Sequence, residues 1–176
     1  IYNIAPKLDQ ADIIYNNIWQ MTLLDPEYQQ LKESLSERDY HNKKLQDDSA
    51  LPKHRMSDLY ITESNAQVKK IAFSAKKSDG FNPSLCVCDE IASWEGDAGL
   101  KQYEVMKSGM GAREEGILLS CTTAGYINDS IYDELFKRCT RLLKGDSKEK
   151  KLLPFLYTID DLEKWNDINE LRKSNP

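Results

Sequence analysis

The apolar run Leu85-Cys86-Val87-Cys88 ends abruptly in two adjacent carboxylates, Asp89 and Glu90. A continuous apolar run this short predicts a strand buried on both faces. Such strands belong to parallel sheets, whose ligands sit beyond the carboxyl ends of the strands. Asp89 and Glu90 are therefore expected at the working edge of a sheet. Two neighbouring acids there can divide the labour of nucleotide hydrolysis, the first holding magnesium and the second orienting or deprotonating the attacking water. This is the Walker B pattern. Apolar strands ending in aspartate are common in α/β proteins, so the pattern alone selects no function.

A second apolar run, Ile117-Leu118-Leu119-Ser120-Cys121, leads straight into Thr122-Thr123-Ala124-Gly125. Placed as the neighbouring parallel strand, its hydroxyl-bearing end lies beside the acidic pair, where a γ-phosphate or its attacking water would be. The segment between the two runs predicts a helix that starts near a capping Asp97 and closes at Gly109 and Gly111. Its apolar positions are Leu100, Tyr103, Val105 and Met106. The order strand, helix, strand is the crossover that parallel pairing requires. The expected fold class is thus α/β, a mostly parallel sheet flanked by helices.

Asp79-Gly80-Phe81-Asn82-Pro83 leading into Leu85 to Ile91, then Thr122-Thr123-Ala124-Gly125, then the ending Trp165 to Asn175-Pro176, resemble the large terminase subunit of tailed bacteriophages. The opening Ala5-Pro6-Lys7-Leu8-Asp9-Gln10-Ala11 resembles that family at the strand and helix after its phosphate loop. The resemblance implies a P-loop NTPase-like core of the ASCE type and an ATP-driven motor that pushes viral double-stranded DNA into a capsid, joined to a nuclease domain. It implies ATP and Mg2+ as cofactors, the portal protein and small terminase subunit as partners, homo-oligomeric assembly in the motor, and the cytoplasm of a bacterial host as location. Carried over by position, Asp89 is the magnesium-binding acid, Glu90 the acid that activates water, and Thr122 and Thr123 the coupling element. Arg113, in the loop before the second strand, is a candidate for charge stabilisation in cis or across a subunit boundary, against the alternative of a solvated loop residue.

No Gly-x-x-x-x-Gly-Lys-Ser/Thr occurs in the chain, so the backbone cradle and lysine that hold β- and γ-phosphates are missing. The chain also opens without methionine, inside an expected strand Ile1–Ala5. It is accordingly expected to be a piece that lacks the first strand and phosphate loop of the core and is inactive alone. Residues 1–158 would form a partial ATPase domain, and 159–176 a helix leading toward the nuclease domain. The alternatives are a helicase-like NTPase fragment and a non-catalytic α/β interaction domain in which the acids only cap the next segment.

A formal charge of −5 argues against a nucleic-acid-binding surface over the whole chain, and leaves room for a few local lysines. No stretch approaches eighteen apolar residues, so no membrane contact is expected. Cys86 and Cys88 should share one face of a strand, with Cys121 and Cys139 elsewhere; no Cys-x-x-Cys occurs, and His41 and His54 sit in polar segments. Buried reduced thiols are expected rather than zinc ligands.

The remainder reads as scaffold. Asp9 is expected to cap a helix with Ile14, Ile18 and Met21 on its buried stripe, and Asp25-Pro26 to start a second with Tyr28, Leu31 and Leu35. Ser36 to Ser57 reads as a long loop or inserted edge element, including Gln46-Asp47-Asp48-Ser49. Leu59–Ile61 and Ile71–Phe73 read as short strands turning near Ser64-Asn65, one of them beside the acidic strand. Asp129-Ser130 should cap a helix with Ile131, Leu135, Cys139 and Leu142 on one face, ending at Gly145. Leu152–Tyr157 reads as a border strand, Asp160-Asp161 as the cap of a helix carrying Leu162, Trp165 and Ile168, and Lys148 to Lys151 as a solvated basic loop.

Overall fold

The computed structural model describes residues 1–39, 51–73, 80–125 and 130–175, with the backbone alone at 35–39. His41, Gln46 to Ser49, Asp79, Asp129 and Pro176 lie outside the described residues. The strands are β1 (Tyr2–Ala5), β2 (Lys53–His54), β3 (Asp58–Ile61), β4 (Ala66–Ala72), β5 (Leu85–Asp89) and β6 (Ile117–Cys121). The helices are α1 (Leu8–Leu24), α2 (Pro26–Asp39), α3 (Gly96–Gly109), α4 (Ile131–Leu143) and α5 (Ile168–Ser174). Two compact units result, Ile1–Tyr132 and Asp133–Pro176.

In the first unit the strands form one sheet in the order β2-β3-β4-β1-β5-β6. β4, β1, β5 and β6 run parallel, and β2 and β3 add an antiparallel edge. β1 is the apolar opening segment; Ile4 and Ala5 have no exposed surface. It lies between β4 and β5, so neither half of the β3–β4 hairpin flanks the acidic strand as the sequence reading expected. That hairpin turns at 62–65, where Asn65 takes φ 53°, a left-handed conformation asparagine tolerates. β4 begins five residues earlier than the expected Ile71, because Gln67, Lys69 and Lys70 are polar yet pair in the ladder with β3 or β1. β2 supplies the edge element expected within Ser36–Ser57.

α1 packs on β1 and β4 through Ala11 and Tyr15, both essentially buried. Ile14 and Ile18 are half-buried and Met21 is 72% exposed, so the deep face of the helix is set about one residue away from the expected stripe. Asp9 lies inside the first turn and the cap position falls at Lys7, whose N–H donates to the Gln10 side chain at 3.3 Å. The Asn3 amide donates to the Ala11 carbonyl at 2.8 Å and ties the helix to β1. Asp25 caps α2 as expected, accepting from the Tyr28 N–H at 3.0 Å, with Pro26 at the first helical position where its missing N–H is harmless. α3 starts at Gly96, and Asp97 sits in its first turn rather than at the cap. Among its expected apolar positions Met106 is fully buried, while Leu100, Tyr103 and Val105 are half-buried.

The second unit holds most of α4, followed by a long irregular stretch and α5. α4 ends in a Schellman motif, with the Gly145 N–H donating to Leu142 and the Asp146 N–H to Arg141. Gly145 takes φ 81°, which only glycine adopts without strain. Leu152–Tyr157 is not a strand: Pro154 cannot donate to a ladder, and no described strand pairs with the segment. Asp161 caps only the single 3-10 turn Leu162–Lys164, accepting from the Glu163 N–H at 3.0 Å. α5 begins later, capped by Asp167, so the single helix expected from Asp160 is broken in two.

Candidate active site at the carboxyl rim of the parallel strands

β5 is apolar because it is covered on both faces: Cys86 and Cys88 have no exposed surface and Val87 has 8%. The two sulfurs lie 3.8 Å apart on one face, and this contact together with burial pushes the Cys88 thiol well above the ordinary thiol range. β5 and β6 pair in parallel with Asp89 opposite Cys121, so the chain leaves both strands at the same level of one rim. The segments that follow, Glu90 onward and Thr122 onward, are therefore neighbours. Asp89 and Glu90 are half-buried, and Thr122 and Thr123 are exposed.

A hydrogen-bond network fixes the turn that presents the acids. One Asp89 carboxylate oxygen accepts from the Glu90 N–H at 3.1 Å. Glu90 itself takes φ 50°, ψ 48°, a left-handed conformation that bends the chain out of the strand direction. Its carbonyl accepts from the Ser93 N–H at 2.9 Å, and the Ile91 carbonyl from the Trp94 N–H at 3.0 Å, closing the 3-10 turn Ile91–Ser93. The Thr122 hydroxyl accepts from the Ala92 N–H at 3.1 Å and donates to the Thr123 carbonyl at 2.9 Å. The Thr123 hydroxyl donates to the Glu90 carboxylate at 3.4 Å. Thr122 thus bonds to the acid turn's backbone, whereas Thr123 meets its carboxylate.

Trp94, which the sequence reading passed over, and Gly125, the last residue of the Thr-Thr-Ala-Gly element, build this rim. Trp94, fully buried, donates its indole N–H to the Asp89 carbonyl at 3.1 Å and stacks obliquely on Phe73 with centroids 5.3 Å apart. Its signal was present as a large aromatic five residues beyond Asp89. Gly125 is required by close approach, because a Cβ there would stand 2.7 Å from the Ala92 Cβ. Cys121 departs from the expected buried thiol: it is exposed, and partial desolvation followed by the Asp89 charge raises its pKa.

Arg113 is not part of this cluster. Its guanidinium donates to the Asn82 side chain at 2.9 Å and to the Asn82 carbonyl at 3.3 Å, ahead of β5. The length of β5, roughly 16 Å of strand, separates that clamp from Asp89. Arg113 therefore ties the loop before β6 to the lead into β5, and does not stabilise charge at the acids in cis. The described residues contain no cluster of three or more metal-ligating acids, cysteines or histidines, and His54 instead stacks on Trp19 at 5.1 Å. No described helix is long and apolar enough to cross a membrane.

A mostly parallel α/β sheet with a carboxylate pair at the end of one strand and a hydroxyl pair at the end of the next is an arrangement found in P-loop-like α/β proteins. Within that class, the chain belongs to the family described as terminase large subunit, ATPase domain, which matches residues 1–141. This sets aside the helicase-like alternative. The chain is 34% identical over 102 residues to Protein YmfN of Escherichia coli strain K12, an alignment covering 57% of this chain and 22% of that protein. Its fold is similar to the crystal structure of the HK97 bacteriophage large terminase, with a TM-score of 0.60 and 19% identity, over 91% of this chain and 28% of that one. The chain thus spans about a quarter of the length of the relatives it matches.

Proposed function

We propose that this chain is part of the ATP-hydrolysing motor of a phage terminase large subunit, acting in the bacterial cytoplasm to drive double-stranded viral DNA into a capsid. The observation that carries the reading is the meeting of Glu90 with Thr123, and of its turn with Thr122, at the rim where Asp89 ends β5. Carboxylates and hydroxyls are hard oxygen donors of the kind magnesium takes, with phosphate oxygens and waters completing its shell, so the residues present fit Mg2+. When bound, ATP would supply the phosphoryl group and Mg2+ would offset the charge on its phosphates. Asp89 would hold the cation, one of its carboxylate oxygens being already bonded to the Glu90 N–H. Glu90 orients the attacking water and accepts its proton.

Thr123, bonded to the Glu90 carboxylate, is the coupling residue that senses whether that carboxylate is engaged. Thr122 keeps the two rim segments in register. The phosphate cradle is supplied by residues other than these 176, which contain no Gly-x-x-x-x-Gly-Lys-Ser/Thr, so this chain by itself does not turn over ATP. Among the described strands β6 is the outermost, and its unpaired edge would take a phosphate-loop strand. The portal protein, the small terminase subunit and further copies of the large subunit are the partners of the assembled motor. The test is ATP turnover by the full-length protein with Glu90→Gln. Loss of about a hundredfold in kcat with nucleotide binding retained is expected; turnover within threefold of the wild type overturns the reading.

A further inference from the structure

Residues 137–151 carry seven cations against two acids in a chain whose formal net charge is −5. Their arrangement is not random. Lys137, Arg141 and Lys144 recur at i, i+4 and i+7 on α4, so they form a single stripe about 10 Å long, and all three are exposed. The Schellman motif at Gly145 then reverses the chain. Arg138 pairs with Glu149 at 2.5 Å, using one of the two acids and folding the following loop back along the helix. Lys148, Lys150 and Lys151, which flank Glu149 in that loop, are exposed as well. Among the described residues, none of these six exposed cations has a carboxylate within 4 Å.

We infer that α4 and the loop after it form a contact surface for the phosphate backbone of double-stranded DNA. A row of unpaired cations at helical spacing binds phosphates without reading bases, which suits a protein that must grip DNA of any sequence as it moves. The broad apolar face that a membrane-lying helix needs is not available on α4, since Ile131 and Leu135 are already buried. Exposed Phe136 and Leu143 lie roughly a third of a turn round from the stripe and do not interleave with it. The inference rests on the packaging-motor reading only for the choice of duplex DNA as ligand.

The test is fluorescence anisotropy of a labelled 30-base-pair duplex of arbitrary sequence, titrated with the full-length protein at several salt concentrations. The triple variant Lys137→Gln, Arg141→Gln, Lys144→Gln should raise Kd at least thirtyfold near 0.1 M salt, and should lower the slope of log K against log salt by about three. The variant Lys137→Arg, Lys144→Arg should bind within threefold of the wild type. A control that removes as many exposed cations elsewhere, Lys32→Gln, Lys101→Gln, Lys107→Gln, should also stay within threefold. Wild-type binding by the first triple, equal losses in both triples, failure of the arginine variant to bind, or stripe-dependent binding to phosphatidylserine vesicles in preference to duplex would each overturn the inference. Loss of DNA binding in the triple alongside ATP turnover by Glu90→Gln would sink the hydrolytic reading and leave this surface standing.

Discussion

Glu90 illustrates how a single residue's backbone can be sacrificed to aim its side chain. Its φ of 50° places an L-residue in the left-handed region, which costs on the order of 1 kcal/mol outside glycine and asparagine. The surroundings enforce the conformation through the bonds at Ser93, Trp94 and Ala92. Glu90→Asn should therefore raise folding stability by about 0.5 to 1 kcal/mol, because asparagine tolerates this conformation, and should abolish hydrolysis. A higher urea midpoint at unchanged slope checks the first part. Cys121 reports on its neighbour Asp89. Desolvation and then the Asp89 charge hold its thiol above the ordinary range, so at pH 8 it is mostly protonated and should alkylate slowly with iodoacetamide despite its exposure. Removing the charge with Asp89→Asn takes away the second of these causes, so the measured alkylation rate at pH 8 should rise.

At the scale of elements, the site depends on two turns held against each other. The 3-10 turn after β5 and the exit from β6 touch at Ala92 and Gly125, where there is no room for a second methyl. Gly125→Ala should destabilise by about 1 to 3 kcal/mol, and Ala92→Gly in the same chain should recover part of that loss. Unfolding free energies around the double-mutant cycle should give a coupling of at least about 0.5 kcal/mol. Such contacts also mark the limit of what the sequence discloses. β5, β6, the crossover helix and the caps at Asp25 and Gly145 were legible because each is announced by local chemistry, an apolar run or a capping residue. The insertion of β1 between β4 and β5 was not, since strand order is decided by tertiary packing. β4 was undercounted because lysines on a parallel strand do not look like a buried ladder. Leu152–Tyr157 was read as a strand from composition alone, with no partner to pair with it. Arg113 was a candidate for charge stabilisation, in cis or across a subunit boundary, from its place in the loop before β6, yet that loop is tied to Asn82 ahead of β5, at the opposite rim.

Across the whole molecule, the two compact units differ in the chemistry they present. The sheet unit presents carboxylates and hydroxyls at one rim, and the unit that follows presents a basic stripe in an otherwise acidic chain. Family membership over residues 1–141 accounts for the sheet, its rim and nearly all of α4. The central claim is that the carboxylate ending β5 supports the cation of ATP hydrolysis, and it is most directly tested by the initial rate of DNA-stimulated ATP turnover in the full-length protein carrying Asp89→Asn. A fall of about a hundredfold at saturating ATP is expected, as commonly follows loss of one electrostatic catalytic group. A rate within threefold of the wild type, in a variant that remains folded, would contradict it.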